Sequence, residues 1–216
     1  MEQNQDFDYR IFDHLIEKNI RFALYRAAWQ QDIQLIIQLS DEKADINSLT
    51  DLNTQKGFVI APFRIAEDTP VIIIKPEIKL EGEKAVFEYL HSNDPGKGKE
   101  SIRTDISRQP NLYLYSEYKK VYDKFHSALT SGKLRKLVLS RTHDIKNHHN
   151  TFSPGKSFDT ARKKHPDNFV FLCNTPETGT WMGVSPELLV AQHGDIYKPV
   201  ALAGTKKAGS ATVLYM

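Results

Sequence analysis

The sequence predicts a mixed α+β fold in which large antiparallel β-sheets carry helices on their outer faces. Three observations predict it. Short segments rich in β-branched and aromatic residues recur along the chain. Several connections between them are too short to hold a crossover helix, and other segments have apolar residues three and four apart, as amphipathic helices do. Of the 216 residues, 40% are hydrophobic and 26% are charged, so the chain can bury a core and fold.

The first half of the chain, residues 1–110, is predicted to be a variable, sheet-rich domain. Leu15 and the apolar residues around it have helical spacing, which predicts one short helix ending near Asn19. The connections between the segments that follow contain turn formers, which favours antiparallel pairing. The predicted strands cover residues 22–25, 34–39, 58–63 and 71–74. Residues 93–110 are turn-forming and charged, so we expect a mobile surface connection there.

The second half, residues 111–216, contains the clearest helix signal in the chain. Aromatic and aliphatic residues recur three and four apart from about residue 112 to residue 129. Gly132 marks the end of this predicted helix. Because such an apolar stripe usually faces the core, we expect its side chains to be buried.

The rest of the second half is predicted to combine one more helix with several strands. Residues 157–164 form the predicted helix, which stops before Pro166. The predicted strands cover residues 134–140, 169–173, 181–184, 188–191 and 196–202. The second and third of these form a predicted hairpin, and we expect the last two to continue the same sheet.

Charge and cysteine content exclude several classes of function. The 29 Lys and Arg residues against 27 Asp and Glu residues give a formal charge of +2, without the broad basic surface that nucleic acids or anionic membranes require. We therefore expect a small-molecule substrate and neither of those partners. Cys173 is the single cysteine, so no internal disulfide forms, which fits a reducing cytoplasm. No apolar run approaches the ~18 residues that a membrane helix needs.

Common catalytic motifs are missing from the sequence. It contains no Walker-type phosphate loop, GxGxxG fingerprint, HExxH helix or GxSxG elbow. His148 and His149 lie side by side in a polar segment without a nearby third ligand, so we interpret them as part of a surface turn. The chemistry must therefore come from less general motifs.

Three short blocks in one order carry the functional signal: K-L-V-L-S-R at 136–141, G-V-S-P-E-L-L at 183–189 and L-A-G-T-K-K at 202–207. In order and separation they resemble the K-V-V-L-S-R, G-x-S-P-E-L-L and L-A-G-T/S blocks of the chorismate-binding enzymes. That family comprises the isochorismate, salicylate, anthranilate and aminodeoxychorismate synthases. The resemblance covers residues 133 to 209 and implies the fold of anthranilate synthase component I, here incomplete.

Two positions in these blocks favour one branch of the family. Isochorismate and salicylate synthases carry lysine where Lys136 stands, whereas anthranilate and aminodeoxychorismate synthases carry glutamine. Aminodeoxychorismate synthases commonly have a nucleophilic lysine where this chain has Ala203. The resemblance therefore implies an isochorismate synthase, with menaquinone and siderophore synthesis both open as pathways, and no glutamine amidotransferase subunit as partner.

The resemblance also implies a role for two side chains. Moving the chorismate hydroxyl from C4 to C2 needs a base for the attacking water and an acid for the departing oxygen. By similarity Lys136 is the base, and it must be neutral, with a pKa pulled well below the ~10.4 of free lysine by burial or nearby positive charge. Glu187 is the acid on the opposite face of the ring, where its carboxyl must stay protonated.

The third block is implied to bind substrate through Leu202, Ala203, Gly204 and Thr205, with backbone N–H groups and a hydroxyl near a carboxylate. Members of the family continue with a segment that supplies acidic Mg²⁺ ligands and an arginine for the substrate's carboxylates. The resemblance therefore implies Mg²⁺ as the cofactor. Because this sequence stops before that segment, no metal ligands are assigned within the chain. We accordingly expect little or no turnover, marginal stability and self-association from these residues alone.

Two other functions stay open. A salicylate synthase shares the lysine and the L-A-G-T block and adds a pyruvate elimination step. A non-catalytic remnant that binds a ligand or a partner would keep the fold without turnover. Detection of salicylate and pyruvate as products would distinguish a salicylate synthase from an isochorismate synthase. Calorimetric measurement of chorismate binding would distinguish the non-catalytic remnant from either enzyme.

Overall fold

The structure is a computed structural model that describes residues 7–44, 46, 48–66, 69–98, 115–140, 152–185 and 190–199. The chain divides into two compact units. The first comprises Met1–Thr104 and Thr151–Pro186, and the second comprises Asp105–Asn150 and Glu187–Met216. The first unit thus takes residues from both sides of position 110, and the predicted domain boundary there stays a prediction.

The described elements are four α-helices, nine β-strands and one short 3₁₀ helix. The α-helices are α1 (Ile11–Glu17), α2 (Glu83–Ser92), α3 (Tyr115–Thr130) and α4 (Pro154–Lys164), and the 3₁₀ helix is Leu49–Thr54. The strands are β1 (Arg21–Arg26), β2 (Gln34–Gln38), β3 (Phe58–Ile60), β4 (Ile72–Ile74), β5 (Ile78–Glu81), β6 (Phe169–Thr175), β7 (Gly179–Ser185), β8 (Val190–His193) and β9 (Ile196–Pro199).

A five-stranded antiparallel sheet, in the order β5-β2-β1-β6-β7, is the centre of the first unit. Its middle strand, β1, pairs with β2 on one side and with the sequence-distant β6 on the other. In these pairs Phe22 lies opposite Ile37 and Asn174. The predicted α+β class with antiparallel sheet is confirmed.

Helices α1, α2 and α4 cover one face of this sheet. Alternate strand residues such as Phe22, Leu24 and Leu172 point into a core with them, and each of the three is fully buried. The helices contribute aromatic rings to the same core, namely Phe12, Phe87 and Phe158. Burial of this apolar surface is the main source of the unit's stability.

The opposite face of the sheet is covered by the small β3-β4 sheet. Ala23, Ile36 and Cys173 point to this side and pack with Ile74, while aromatic side chains lie half-buried around them. A third, smaller cluster joins Ile46 to the β4 side. The first unit is therefore layered, with helices, the five-stranded sheet and the β3-β4 pair in that order.

Several predicted elements are confirmed. Helices α1 and α3 lie where the apolar spacing predicts them, α4 overlaps the helix predicted at 157–164, and β1 to β4 overlap the four predicted strands. The predicted hairpin is formed by β6 and β7, with Phe169 opposite Ser185. Its turn ends at Gly179, where a φ of 72° suits a residue without a side chain.

Two predictions for the second unit are wrong. Residues 134–140 form no regular strand, because they pair with none of the described strands, and most of their side chains are exposed. The apolar stripe of α3 is not in a core, since no described residue of that helix is buried and Tyr115 is 75% exposed. Spacing alone predicted the helix correctly but not what covers it.

Three further differences concern the connections. Strand β5 and helix α2 were not predicted, although Val86, Phe87 and Leu90 have helical spacing and are buried. The β8-β9 hairpin forms a sheet of its own among the described residues instead of continuing the large one. Of the predicted surface connection only residues 93–98 are described, and they form turns, as predicted.

Candidate active site

The described residues include only one of the predicted site residues, Lys136. The other members of the predicted site lie outside the described residues: Glu187, Leu202, Ala203, Gly204 and Thr205. The structure therefore does not bring Lys136 and Glu187 together or separate them, and their shared cavity stays a prediction. His148 and His149 also lie outside the described residues.

Lys136 lies in an extended segment that follows α3. Helix α3 ends at Thr130, and Gly132, with a φ of 72°, turns the chain away from the helix. The side chain of Lys136 is exposed, as is that of Val138, which is 71% exposed. The described residues therefore do not bury the side chain of Lys136.

Strand β7, which precedes Glu187 in the sequence, is held in place by its pairing with β6. β7 contains the first three residues of the G-V-S-P-E-L-L block and pairs with β6 along its whole length, from Gly179 to Ser185. Pro186 and Glu187 follow directly in the sequence. The position and direction of the last β7 residues are thus set by the five-stranded sheet of the first unit.

Four half-buried aromatic rings lie beside this end of β7, and we call them the aromatic quartet: Tyr25, Phe58, Phe169 and Phe171. Each ring contacts two others of the set. The centroid separations are 5.6 Å for Tyr25 and Phe58, 6.0 Å for Phe58 and Phe171, 5.7 Å for Phe171 and Phe169, and 6.1 Å for Phe169 and Tyr25. The quartet joins β1, β3 and β6 on the face opposite the helices.

The segment that enters β6 is held by a buried arginine. Arg26, 5% exposed, donates hydrogen bonds to the backbone carbonyls of Arg162, His165 and Asn168. These carbonyls end α4 and lead into Phe169, so the arginine caps the helix and fixes the start of β6. Burial, with a smaller effect of the Arg162 charge, lowers the pKa of the Arg26 guanidinium.

A polar cluster at the other end of the sheet was missed by sequence reasoning. Arg21 donates to both carboxylate oxygens of Glu177, at 3.2 and 2.6 Å, and the carboxylate also lies 3.3 Å from the Lys43 ammonium. Asn174 donates to the Ile20 carbonyl at 3.0 Å. These contacts are made within the cluster, so we interpret it as a clamp on the β6-β7 turn and not as a ligand site. The sequence signal that could have revealed this cluster is Arg21, a charged residue at the start of an otherwise apolar strand.

No metal site is found among the described residues, although these residues do form a cleft. No group of three or more His, Cys, Asp or Glu side chains could hold a metal ion in that part of the chain, so the described residues do not fit Mg²⁺. A cleft of 450 Å³ lies at the start of α4 beside Asp8, Arg10 and Lys156, and none of the residues that line it belongs to the three blocks. Its Asp8 and Arg10 are ion-paired with each other.

The comparison with protein families decides the assignment. A family model described as "Chorismate binding enzyme" matches residues 50–213, well over half of the chain. The chain belongs to the chorismate-binding enzymes. This match to the chorismate-binding enzymes begins far before residue 133, where the resemblance of the three blocks starts, and so includes much of the strand-rich half. Neither a curated protein nor a solved structure gives a significant match.

The matched region contains all the predicted site residues of this chorismate-binding enzyme, from Lys136 to Thr205. Chorismate is thus the expected small-molecule substrate. Among the described residues, no helix is long and apolar enough to cross a membrane.

Proposed function

We propose that this chorismate-binding enzyme is an isochorismate synthase, which converts chorismate into isochorismate. The chain belongs to the chorismate-binding enzymes. The observation that carries the proposal is Lys136, because the amine-using members that the three blocks resemble have glutamine at this position. Ala203 supports it, because a nucleophilic lysine at that position would be needed for a covalent amine route. Water is then the nucleophile.

The proposed reaction needs one base and one acid for its two proton transfers. Lys136 takes a proton from a water molecule as its oxygen bonds to C2, the two ring double bonds shift, and the bond from C4 to its hydroxyl oxygen breaks. Glu187 gives its proton to that departing oxygen, which leaves as water. Substrate and product have the same formula, so the protein acts as an isomerase.

The remaining parts of the proposal rest on the family resemblance. Leu202, Ala203, Gly204 and Thr205 would contact a substrate carboxylate, and Mg²⁺ would neutralise negative charge on the ring carboxylate when bound. A cytoplasmic location belongs to the proposal as well. No described residue is assigned to the metal, and in the proposed reaction Lys136 and Glu187 transfer the protons.

A product assay tests the proposal and separates it from salicylate synthase. Purified protein, at a concentration close to that of chorismate so that slow conversion is measurable, is incubated with and without Mg²⁺. Chromatography then follows chorismate, isochorismate, salicylate and pyruvate. We expect isochorismate alone, formed faster with Mg²⁺. Salicylate together with pyruvate would establish the alternative.

The exposure of Lys136 favours a second candidate, a chorismate-binding protein without turnover. A general base works best in a site from which bulk water is excluded, and the side chain of Lys136 is exposed. Calorimetric titration with chorismate, with and without Mg²⁺, measures binding separately from conversion. Binding without product would favour this candidate, and binding that Mg²⁺ strengthens together with product would favour the enzyme.

A further inference from the structure

The two edges of the five-stranded sheet are protected very differently. β5, at one edge, has only four residues, and two of them, Lys79 and Glu81, carry exposed charged side chains. Short length and exposed charge are features by which proteins keep an edge strand from pairing with another chain. The β5 edge is therefore protected by its own sequence.

β7, at the other edge, has neither protection. It is seven residues long, contains no charged residue and no proline, and pairs with β6 without a bulge from Gly179 to Ser185. In an antiparallel strand every second residue turns its backbone N–H and C=O groups away from the neighbouring strand. Among the described strands, none follows β7 in the sheet order. This edge thus presents an uncharged, regular template for a further strand.

Two large apolar side chains of β7 are exposed beside this edge. Trp181 is 56% exposed and Met182 is 37% exposed. Trp181 lies opposite Cys173 and so points to the β3-β4 side of the sheet, whereas Met182 lies opposite the buried Leu172 and points to the helix side. The Trp181 indole N–H donates to the Thr178 carbonyl at 2.9 Å, which holds the ring in place. Exposed apolar surface therefore flanks the edge on both faces of the sheet.

We propose that β7 pairs with β7 of a second copy of this chain, antiparallel about a two-fold axis, so that two five-stranded sheets join into one. The partner is a second copy because the strand is complementary to itself. Full overlap of the seven residues places Met182 on the axis, opposite its counterpart. No like charges meet in this arrangement, because the strand has none. One surface serves both copies, as a two-fold interface requires.

The same register brings a large side chain opposite a glycine. Trp181 lies across from Gly183 of the second copy, twice by symmetry. Gly183 has no side chain of its own, and the Phe171 ring of β6 lies over it, since a Cβ atom there would be 2.4 Å from Cε1 of that ring. An aromatic residue across from an edge glycine stabilises the pairing of two strands. Thr180 lies across from Val184, and two such β-branched side chains pack well on a sheet.

Oppositely charged variants at the axis test this register directly. Met182→Lys and Met182→Glu each place two like charges face to face in the dimer, and a mixture of the two variants places opposite charges there. Val59→Lys is the matched control, because Val59 is 40% exposed on strand β3 and receives the same charge away from β7. Sedimentation velocity of the full chains over a range of concentrations measures the dimer dissociation constant, and circular dichroism checks folding.

We expect the parent to dimerise and each Met182 variant alone to weaken the dimer by roughly tenfold or more, because like charges meet at the interface. The mixture should dimerise more tightly than either variant alone, and Val59→Lys should behave as the parent does. Recovery in the mixture requires that position 182 faces itself, so a variant that had merely lost its fold would not show it.

Hydrogen exchange of the parent tests the same interface without a substitution, and decides the question if the charged variants do not fold. Amide exchange at residues 179–185 should slow as the protein concentration rises, because dimerisation adds a hydrogen-bonded neighbour to β7. Exchange at residues 78–81, in the protected edge strand β5, should not depend on concentration.

Three results would overturn the proposal. One is a parent chain that stays monomeric at every concentration; slow exchange of its β7 amides would then show that another part of the same chain covers this edge. The second is a dimer that persists equally in both Met182 variants, which would place the interface elsewhere, for example on the exposed stripe of α3. The third is a loss of dimer in Val59→Lys as large as in the Met182 variants.

Discussion

Two buried arginines show how single residues hold the first unit together. Arg21 and Arg26 are 7% and 5% exposed, and each satisfies its guanidinium largely with partners far away in the sequence. Arg21 is paired with the carboxylate of Glu177, whereas Arg26 binds only backbone carbonyls. The planar, multiply donating guanidinium suits both tasks, and an ammonium group does not.

For Arg26 this difference gives a measurable prediction. Arg26→Ala should lower the free energy of unfolding by about 2 kcal/mol, because it leaves the carbonyls at the end of α4 without their charged donor. Arg26→Lys should recover only part of the loss, since one ammonium cannot reach three carbonyls in this geometry. Urea denaturation measures both, with Lys164→Ala as an exposed control on the same helix. Full recovery in Arg26→Lys would contradict the capping role.

Cys173 predicts a pH dependence. Burial raises the pKa of its thiol from 9.0 to about 11, with a small opposing effect of a backbone hydrogen bond from Trp181. The neutral thiol is therefore favoured in the folded state. Its stabilising contribution is complete below pH 9 and is lost as the pH rises towards 11.

The expected outcome is a stability curve that falls between pH 9 and 11 more steeply in the parent than in Cys173→Ala. Burial also raises the pKa of Tyr25, together with the charge of Glu81, but that effect is common to both proteins. Unfolding free energies at several pH values measure the difference. Rapid reaction of the folded protein with a thiol reagent at pH 8 would show that Cys173 is not shielded.

At the scale of elements, the sequence predicts best where one local pattern determines the outcome. Helix α4 has Ser153 as its N-cap and Pro154 in its first turn, and the turn of the β6-β7 hairpin ends at Gly179. The stop of α4 before Pro166 and the β6-β7 turn were predicted from such local signals, whereas the start of α4 was placed at residue 157 and its cap at Ser153 was missed. Strand β5 has only four residues and alternates apolar with charged side chains, which was too weak a pattern to recognise.

Helix α3 shows the limit of apolar spacing. Its stripe and its Lys119–Asp123 pair at 3.0 Å are features of an amphipathic helix, yet the described stripe residues are not buried. Spacing reports which side chains share a face, whereas burial depends on what else packs there. The same limit applies to residues 134–140, because a strand exists only with a partner.

Exposure predicts that the α3 stripe contributes little to stability. Tyr122, 46% exposed, contacts Tyr118 and His126 at helical spacing only. Tyr122→Ala should therefore cost about 0.5 kcal/mol. Phe87→Ala should cost about 3–5 kcal/mol, since Phe87 is 2% exposed within the aromatic core. Thermal and urea denaturation compare the two, and equal losses would show that the α3 stripe is covered in solution.

At the scale of the whole molecule, distant segments join in one sheet. β1 and β6 are adjacent strands although α2, α3 and α4 lie between them in the sequence. No local pattern could have predicted this pairing, because it depends on contacts between residues more than a hundred positions apart. The family, by contrast, was evident from three ordered blocks, since their residues are constrained by chemistry more than by local conformation.

The sequence predicted which residues form the candidate site but not how they are arranged. Lys136 was identified by resemblance, and its side chain is exposed, so of the two expected influences on its amine, burial or nearby positive charge, the described residues do not supply burial. What the structure adds is the support of the second block, where β7, Gly183 and the aromatic quartet fix the residues before Glu187. This support comes from β1, β3 and β6, which the three blocks do not include.

The central claim is that Lys136 and Glu187 together move a hydroxyl group on chorismate. It is tested most directly by measuring isochorismate formation from chorismate and Mg²⁺ by the parent chain, Lys136→Gln and Glu187→Gln at equal protein concentrations. Circular dichroism checks that all three are folded. We expect the parent to form isochorismate slowly and both variants to lose at least about 100-fold in rate. Isochorismate formed at equal rates by the parent and either variant would contradict the account.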